Sequence, residues 1–304
     1  MPDGRSRRRR RLASSVLVAT ALVAGCSFAG PRPAAAPEPA PVVTTPPPTV
    51  APTTTPPPTP SRAQEAVEAT ASAGQERDDV TLGVAVLDRS TGQTATNEQG
   101  DTQLRAASVA KLFTIADILS RREAGQVTTT GADDERIRRA LSLSDDEAMN
   151  GLWSRFGGEE GVTRLAAQLG LTQTRPPERV GQWGEVETSA RDVATVYGFL
   201  LTRLSPADRD LVLSGLEGAQ DTAADGFDQA FGLLDPDRRG AAAAKQGWLC
   251  CLQSSIDLHS TGLPDVGGRY VVVLMSNQPR GYDAGKSLLD DAAAAVRDAL
   301  AGGP

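Results

Sequence analysis

The chain is short of the residues on which much enzyme chemistry depends. In 304 residues it has one histidine, His259, and three cysteines; aromatic residues make up 4%. A Ser-His-Asp hydrolase would have to recruit His259, yet that residue sits in Asp257-Leu258-His259-Ser260, which reads as a strand end, and no Gly-x-Ser-x-Gly elbow occurs. A metal centre lacks its ligands too, because Cys250 and Cys251 have only His259 for company. No metal or other cofactor is expected. The longest apolar run near the N-terminus, Leu12 to Val23, falls short of the roughly 20 residues that a spanning helix needs. Positive charge is scarce as well. The net charge is −7, and residues 1–25 hold six arginines and one aspartate, so the rest carries −7 − 5 = −12. Such an acidic surface excludes binding to nucleic acid or anionic lipid by charge.

What is present divides into three parts. Residues 1–25 join a cationic stretch, Arg5 to Arg11, to a short apolar segment and end Ala24-Gly25, as a signal peptide does. Cys26 follows these small residues in the manner of a lipobox, which makes its thiol the expected site of lipidation and the membrane a partner through that anchor. Residues 26–75 form the expected Pro/Thr/Ala-rich, disordered tether. Its proline-dense portion of roughly 35 residues could span about 100 Å in polyproline II form. Residues 76–304 are enough for one domain with its own core.

Within that domain the patterns alternate. Val80 to Asp88 reads as a strand, Arg89 to Gly92 as a turn and Gln93 to Asn97 as a returning strand. Helical periodicity covers Ala110–Glu123, Asp133–Leu143, Asp145–Phe156 and Val162–Leu169, then a segment from Ser189, then Pro206–Leu216. Gly247 to Leu258 and Arg269 to Met275 are extended, and Asp283 to Leu300 is a terminal amphipathic helix. Strands at both ends with helices between predict an α/β (α+β) fold. An antiparallel sheet of N- and C-terminal strands is flanked by helices and carries an inserted all-helical lobe. Adjacent residues of a strand face opposite ways, so Cys250 and Cys251 read as two small, separate side chains; a vicinal or intermolecular bridge stays open.

The lysines point to chemistry. Only three of the 31 basic residues are lysine: Lys111, Lys245 and Lys286. Arginine cannot lose its proton in a protein, whereas a buried lysine can titrate near neutrality and act as a base. Lys111 stands three residues after Ser108 at a helix start, which puts amine and hydroxyl on one face within reach. That makes Ser108 a candidate nucleophile. Ser144-Asp145-Asp146 follows, and Lys245-Gln246-Gly247 opens a later strand.

This order resembles the Ser-x-x-Lys, Ser-x-Asn and Lys-Thr-Gly motifs of class A β-lactamases and penicillin-binding proteins, and the likeness runs over nearly all of residues 78–301. The resemblance implies a β-lactamase/transpeptidase-like fold and a monomer acting on a small-molecule β-lactam or a peptidoglycan peptide. It casts Ser108 as the acylated nucleophile, Lys111 as its base and Ser144 as the proton relay. Asp146, Lys245, Gln246, Gly247 and Trp248 would bind substrate, with the backbone N–H groups of Ser108 and Trp248 as the oxyanion hole. The match also breaks. Asp146 stands where the family has an amide, and a carboxylate can only accept. Gln246 replaces a hydroxyl residue. No Glu-x-x-Leu-Asn loop supplies a deacylating base, although Glu185 and Glu187 are candidates. These departures imply a slowly hydrolysed acyl-enzyme; the alternative they leave is an inactive relative serving as an envelope binding module.

Overall fold

The computed structural model describes residues 60–75, 79–251, 254–265, 268–279 and 281–302. The expected signal segment, Cys26 and the proline-rich stretch up to residue 59 lie outside these residues. Among the described residues no helix is long and apolar enough to cross a membrane.

The terminal strands meet, as the sequence predicts. Strand β1 (Thr81–Asp88) pairs with β2 (Gln93–Thr96) on one side and with β7 (Tyr270–Gln278) on the other. Strands β6 (Ile256–Leu263) and β5 (Ala243–Cys250) complete a five-stranded antiparallel sheet in the order β2-β1-β7-β6-β5. The run Val271-Val272-Val273 of β7 is wholly buried because both faces of the sheet are covered, which is why this central strand reads as continuously apolar rather than alternating. The expected extended run Gly247 to Leu258 is in fact two strands. β5 starts four residues earlier, in alanines of low strand propensity, and the chain turns back after Cys250.

Cys250 and Cys251 are bridged to each other at the exposed end of β5. The reading of two separate side chains is thereby corrected. The strand ends at this pair, so strand alternation does not hold the two thiols apart.

One face of the sheet packs on α8 (Tyr282–Ala301) and on a helix that the sequence reading assigned to the tether, α1 (Arg62–Gln75). Ser61 caps α1 by accepting from the amide of Gln64 at 3.2 Å. Ala63, Ala66, Val67 and Thr70 lie buried on one stripe. Helix α1 is therefore part of the folded domain. Its signal was hidden because α1 seats itself with small residues that continue the Ala/Thr-rich composition upstream.

The other face carries α2 (Ala110–Glu123) and α6 (Ala190–Thr202), with α3 (Gly131–Ser142), α4 (Asp146–Phe156), α5 (Gly158–Leu169) and α7 (Pro206–Glu217) forming the helical lobe. All ten residues from Ala110 to Leu119 of α2 are buried, the pattern of a helix enclosed on every side. Thr130 closes a capping box with Asp133 at the start of α3, and Asp145 caps α4 by accepting from Ala148 N at 3.0 Å. Gly157, with φ of 72°, ends α4 and opens α5 in the left-handed conformation that glycine tolerates. A short ladder, β3 (Leu104–Arg105) with β4 (Glu187–Thr188), ties the approach to α2 to the loop before α6.

Candidate active site

The single helical turn Ala107–Val109 delivers Ser108 to the base of a cleft at the β5 edge of the sheet. Ala107 holds φ of 48° and Ser144 φ of 50°, a region that non-glycine residues enter at some cost and that clusters at functional sites. β5 runs close beside the Ser108 turn at Gly247, where an added Cβ would lie 3.2 Å from both Ala106 O and Val109 Cγ2. Glycine is needed there for the close approach of the two backbones.

The structure brings four predicted side chains together. Lys111, one turn into the helical segment, donates from Nζ to Ser108 Oγ at 2.8 Å and to Ser144 Oγ at 3.3 Å. Lys245 reaches Ser144 Oγ from the strand side at 2.8 Å and also donates to the Gln246 carbonyl at 2.6 Å. All four are buried. Burial pushes the Lys111 ammonium down to about 8, against the upward pull of Asp146, Asp225 and Asp145. Burial, and then the neighbouring Lys111 charge, drive Lys245 well below the ordinary lysine range. Two buried amines flank one hydroxyl, each disfavoured as a cation, so each gives up its proton more readily than an exposed lysine does.

Asp146, at the first position of α4, lines the cleft and pairs with Lys111 Nζ at 2.8 Å; its side chain stays 56% exposed. Trp248 lines the cleft as well. It stacks on Phe227 with ring centroids 4.5 Å apart, and its Nε1 donates to Asp225 Oδ2 at 3.2 Å. Gln246 does not reach the cleft. Strand alternation sends it to the opposite face from Lys245, where its Nε2 donates to the carbonyls of Gln229 and Phe231. That corrects its assignment to substrate binding, and Gly247 offers only backbone.

The loop between α5 and α6 closes the cleft from the other side. Asp192 of α6 fastens it, accepting from Gln173 N and Thr174 Oγ1, both at 2.8 Å. The loop presents Trp183, whose ring centroid lies 4.2 Å from Lys111 Nζ and whose Nε1 donates to Asn150 Oδ1 at 2.9 Å. Glu185 lines the cleft but is forked to Arg179. Glu187 pairs through its backbone with Arg105 and Arg175 and is not among the residues of the cleft wall. Trp183, Asn150 and Glu185 complete a cleft of about 350 Å³. No motif marked Trp183, which sits in a loop 72 residues from Lys111.

His259 is buried in mid-strand, not at a strand end. Its Nε2 faces the Arg105 carbonyl at 2.7 Å, and its Nδ1 accepts from Ser276 N at 3.3 Å. Burial lowers its pKa, so the ring stays neutral and joins β3 to β6 and β7. Among the described residues no group of His, Cys, Asp and Glu is arranged to hold a metal ion.

The chain is similar to solved β-lactamases at fold level. One is the enzyme from Sphaerobacter thermophilus DSM 20745, at TM-score 0.60 and 19% identity over 79% of this chain and 98% of that one. An ancestral class A β-lactamase gives 0.58 and 21%, over 77% and 99%. PBP-A, solved as a point mutant in an acyl-enzyme complex with penicillin G, gives 0.59 and 20%, over 78% and 96%. In sequence the chain is 39% identical over 224 residues to the Mycobacterium tuberculosis protein named "Putative lipoprotein LppW", covering 72% of this chain and 69% of that one; the Mycobacterium bovis protein matches equally. The profile of the beta-lactamase enzyme family matches residues 134–300, which include Ser144, Lys245 and the sheet strands β5 to β7. By sequence and by fold, this chain belongs to the beta-lactamase enzyme family.

Proposed function

We propose that this protein is an envelope-located, lipid-anchored serine hydrolase that forms an acyl-enzyme at Ser108 and releases it slowly. The observation that carries the proposal is the convergence of Ser108, Lys111, Ser144 and Lys245 within hydrogen-bond distances of one another. In the neutral state Lys111 takes the Ser108 proton while Oγ attacks an amide or ester carbonyl. The backbone N–H groups of Ser108 and Trp248 hold the oxyanion, each such donor being worth about 3 kcal/mol. Ser144 passes a proton to the leaving group and recovers one from Lys111 or Lys245. Hydrolysis of the acyl-enzyme then needs a base for water. The two carboxylates of the cleft wall are already paired, Glu185 with Arg179 and Asp146 with Lys111, which supports a long-lived intermediate and suits a β-lactam- or peptidoglycan-amide-acylated enzyme. The lipobox at Cys26 and the name of the mycobacterial relative support anchoring at the outer face of the cell membrane. Residues 1–25 would be removed, and residues 26 to about 61 would link the anchor to the domain.

Intact-mass measurement after incubation with a reactive penicillin tests the proposal. The expected result is a single adduct that accumulates, decays slowly and is lost in Ser108→Ala. No adduct on the native protein at high penicillin concentration and pH 9 would refute acyl-enzyme formation. A second reading, an inactive binding module, draws on the Asp146–Lys111 pair, which favours a protonated base. Under it, peptidoglycan fragments bind equally well to the native protein and to Ser108→Ala.

A further inference from the structure

Lys111 is fully buried beside an open cleft, and four groups enclose its Nζ. Ser108 Oγ, Ser144 Oγ and Asp146 Oδ1 accept from it at 2.8, 3.3 and 2.8 Å, which matches the three donors of an ammonium. The fourth group is the indole of Trp183, with its centroid 4.2 Å from Nζ. An indole has one polar atom and no acceptor, and that atom is turned away to Asn150 Oδ1 at 2.9 Å. The face over the amine is therefore carbon alone. A water bonded to Nζ, with a ring in contact beyond it, needs about 6 Å between amine and ring. The indole leaves no such space.

The ring is held there from several directions. Asn150 stands four residues after Asp146 on α4, so one helix face carries the partner of the amine and the partner of the indole. The loop is fastened two residues before Trp183, where Gly181 N donates to Glu159 Oε1 at 2.7 Å, and three residues after it, where Val186 O accepts from Ala106 N at 2.7 Å. That second bond ties the loop to the segment leading into Ser108.

We infer that Trp183 is a positioning residue that seals the Lys111 amine from water, and that this seal sets the lifetime of the Ser108 acyl-enzyme. The seal stands on the geometry; its effect on lifetime rests on the acyl-enzyme reading. With Glu185 forked to Arg179 and Asp146 paired to Lys111, Lys111 is the group left to activate water. In hydrolysis the water oxygen bonds to the acyl carbon while one water proton passes to Nζ. The bond from that carbon to Ser108 Oγ breaks, Oγ recovers the proton, and the acyl group leaves as a free acid. Attack by Ser108 needs no water between its own hydroxyl and Nζ, so the indole obstructs the second half of the reaction and spares the first.

Formation and decay of the penicillin adduct are followed by intact mass in the native protein, Trp183→Phe and Trp183→Ala. A positioned general base contributes about 10²–10⁴-fold, so admitting an unoriented water should speed decay in Trp183→Ala by about thirtyfold. Adduct formation should change by less than about fivefold, the reach of one cation–π contact at a part-exposed site. Trp183→Phe keeps a ring over Nζ and should decay within about fivefold of the native rate. A rise in decay of less than about tenfold in Trp183→Ala, or an equal rise in Trp183→Phe, would overturn the inference while Ser108 is still acylated. If penicillin labels none of the three proteins, the hydrolase reading fails instead, and amine access decides the seal. Reductive methylation with formaldehyde and cyanoborohydride is read lysine by lysine from peptide masses. The reference is Lys286, whose Nζ pairs with the exposed Asp228. In the native protein Lys111 should be protected relative to Lys286. In Trp183→Ala it should lose that protection, while Lys245, covered by Ser144 and the Gln246 carbonyl, keeps its own. Unchanged protection of Lys111, or loss at both buried lysines together, overturns the seal.

Discussion

Exchanging Asp146 for asparagine should shift the acylation pH profile toward acid. Acylation requires the uncharged form of Lys111, and that amine sits between two opposed influences. Burial pushes it down to about 8, while the carboxylate of Asp146, 2.8 Å from Nζ, pulls it up. Asp146 is more than half exposed, so the high-dielectric limit applies; two unit charges at that separation interact by about 1.5 kcal/mol in water, or about one pH unit. In the native protein the second-order rate constant for acylation should therefore rise with pH and reach half its plateau near pH 8. In Asp146→Asn the midpoint should lie about one unit lower, because removing the negative charge leaves the ammonium easier to deprotonate. The rate at pH 7 should increase, by up to about fivefold. Folding should survive, since α4 is capped by Asp145 rather than Asp146. The assay is the rate of penicillin adduct formation by intact mass from pH 5.5 to 10, with thermal melts at each end. A midpoint that stays in place or moves to higher pH would refute the assignment of Lys111 as the base controlled by Asp146.

Other outcomes follow from the fold. Gly262 lies in β6 with φ of 148°, and a Cβ there would fall 2.2 Å from the Ala243 carbonyl; Gly262→Ala should lose about 3 kcal/mol or more in denaturant unfolding. Asp192→Ala strands the Gln173 amide and leaves the Thr174 hydroxyl with Thr188 alone, so hydrogen exchange and proteolysis within residues 171–188 should accelerate, with a global loss of about 1–3 kcal/mol. The side chains of Asp88, Asp133 and Asp145 are held below the usual carboxylate range. The leading cause that lowers each is a hydrogen bond: from Arg269 to Asp88, from Thr130 to Asp133 and from the Ala148 amide to Asp145, with burial opposing all three. A depressed folded pKa contributes stability above the unfolded value near 4 and loses it as pH falls. Denaturant midpoints should accordingly drop from pH 5 to pH 2.5, less steeply in Asp88→Asn; an unchanged slope would count against the Arg269–Asp88 contribution.

The parts of the site that could be read in the chain are those fixed by local geometry. Ser108 and Lys111 are three residues apart on one helical turn, so their contact follows from helix spacing alone. Ser144 and Lys245 were found through motif order, and the structure sets both against the same hydroxyl-amine cluster. The orientation of Gln246 was missed because one strand position decides which face a side chain takes, and the start of β5 lay hidden in a run of alanines. Trp183 carries no local signature: its place above Lys111 depends on how Asp192 and the β3–β4 ladder fasten a loop with little regular structure. Asp225 carries no local signature either; it accepts from the indole of the cleft residue Trp248. Helix α1 escaped notice because alanine packs well but marks little.

The seat of α1 also determines how the domain would bear a load. Arg62, the first residue of α1, donates to the Ala299 carbonyl near the end of α8, and α1 lies over β1 and β2. Strand β2 is four places from β5 in the sheet, about 19 Å at the usual strand spacing. Traction arriving through residue 60 would be taken up as shear between two helices, at the opposite margin from Ser108. The Ser108 edge of the sheet would stand clear of that shear.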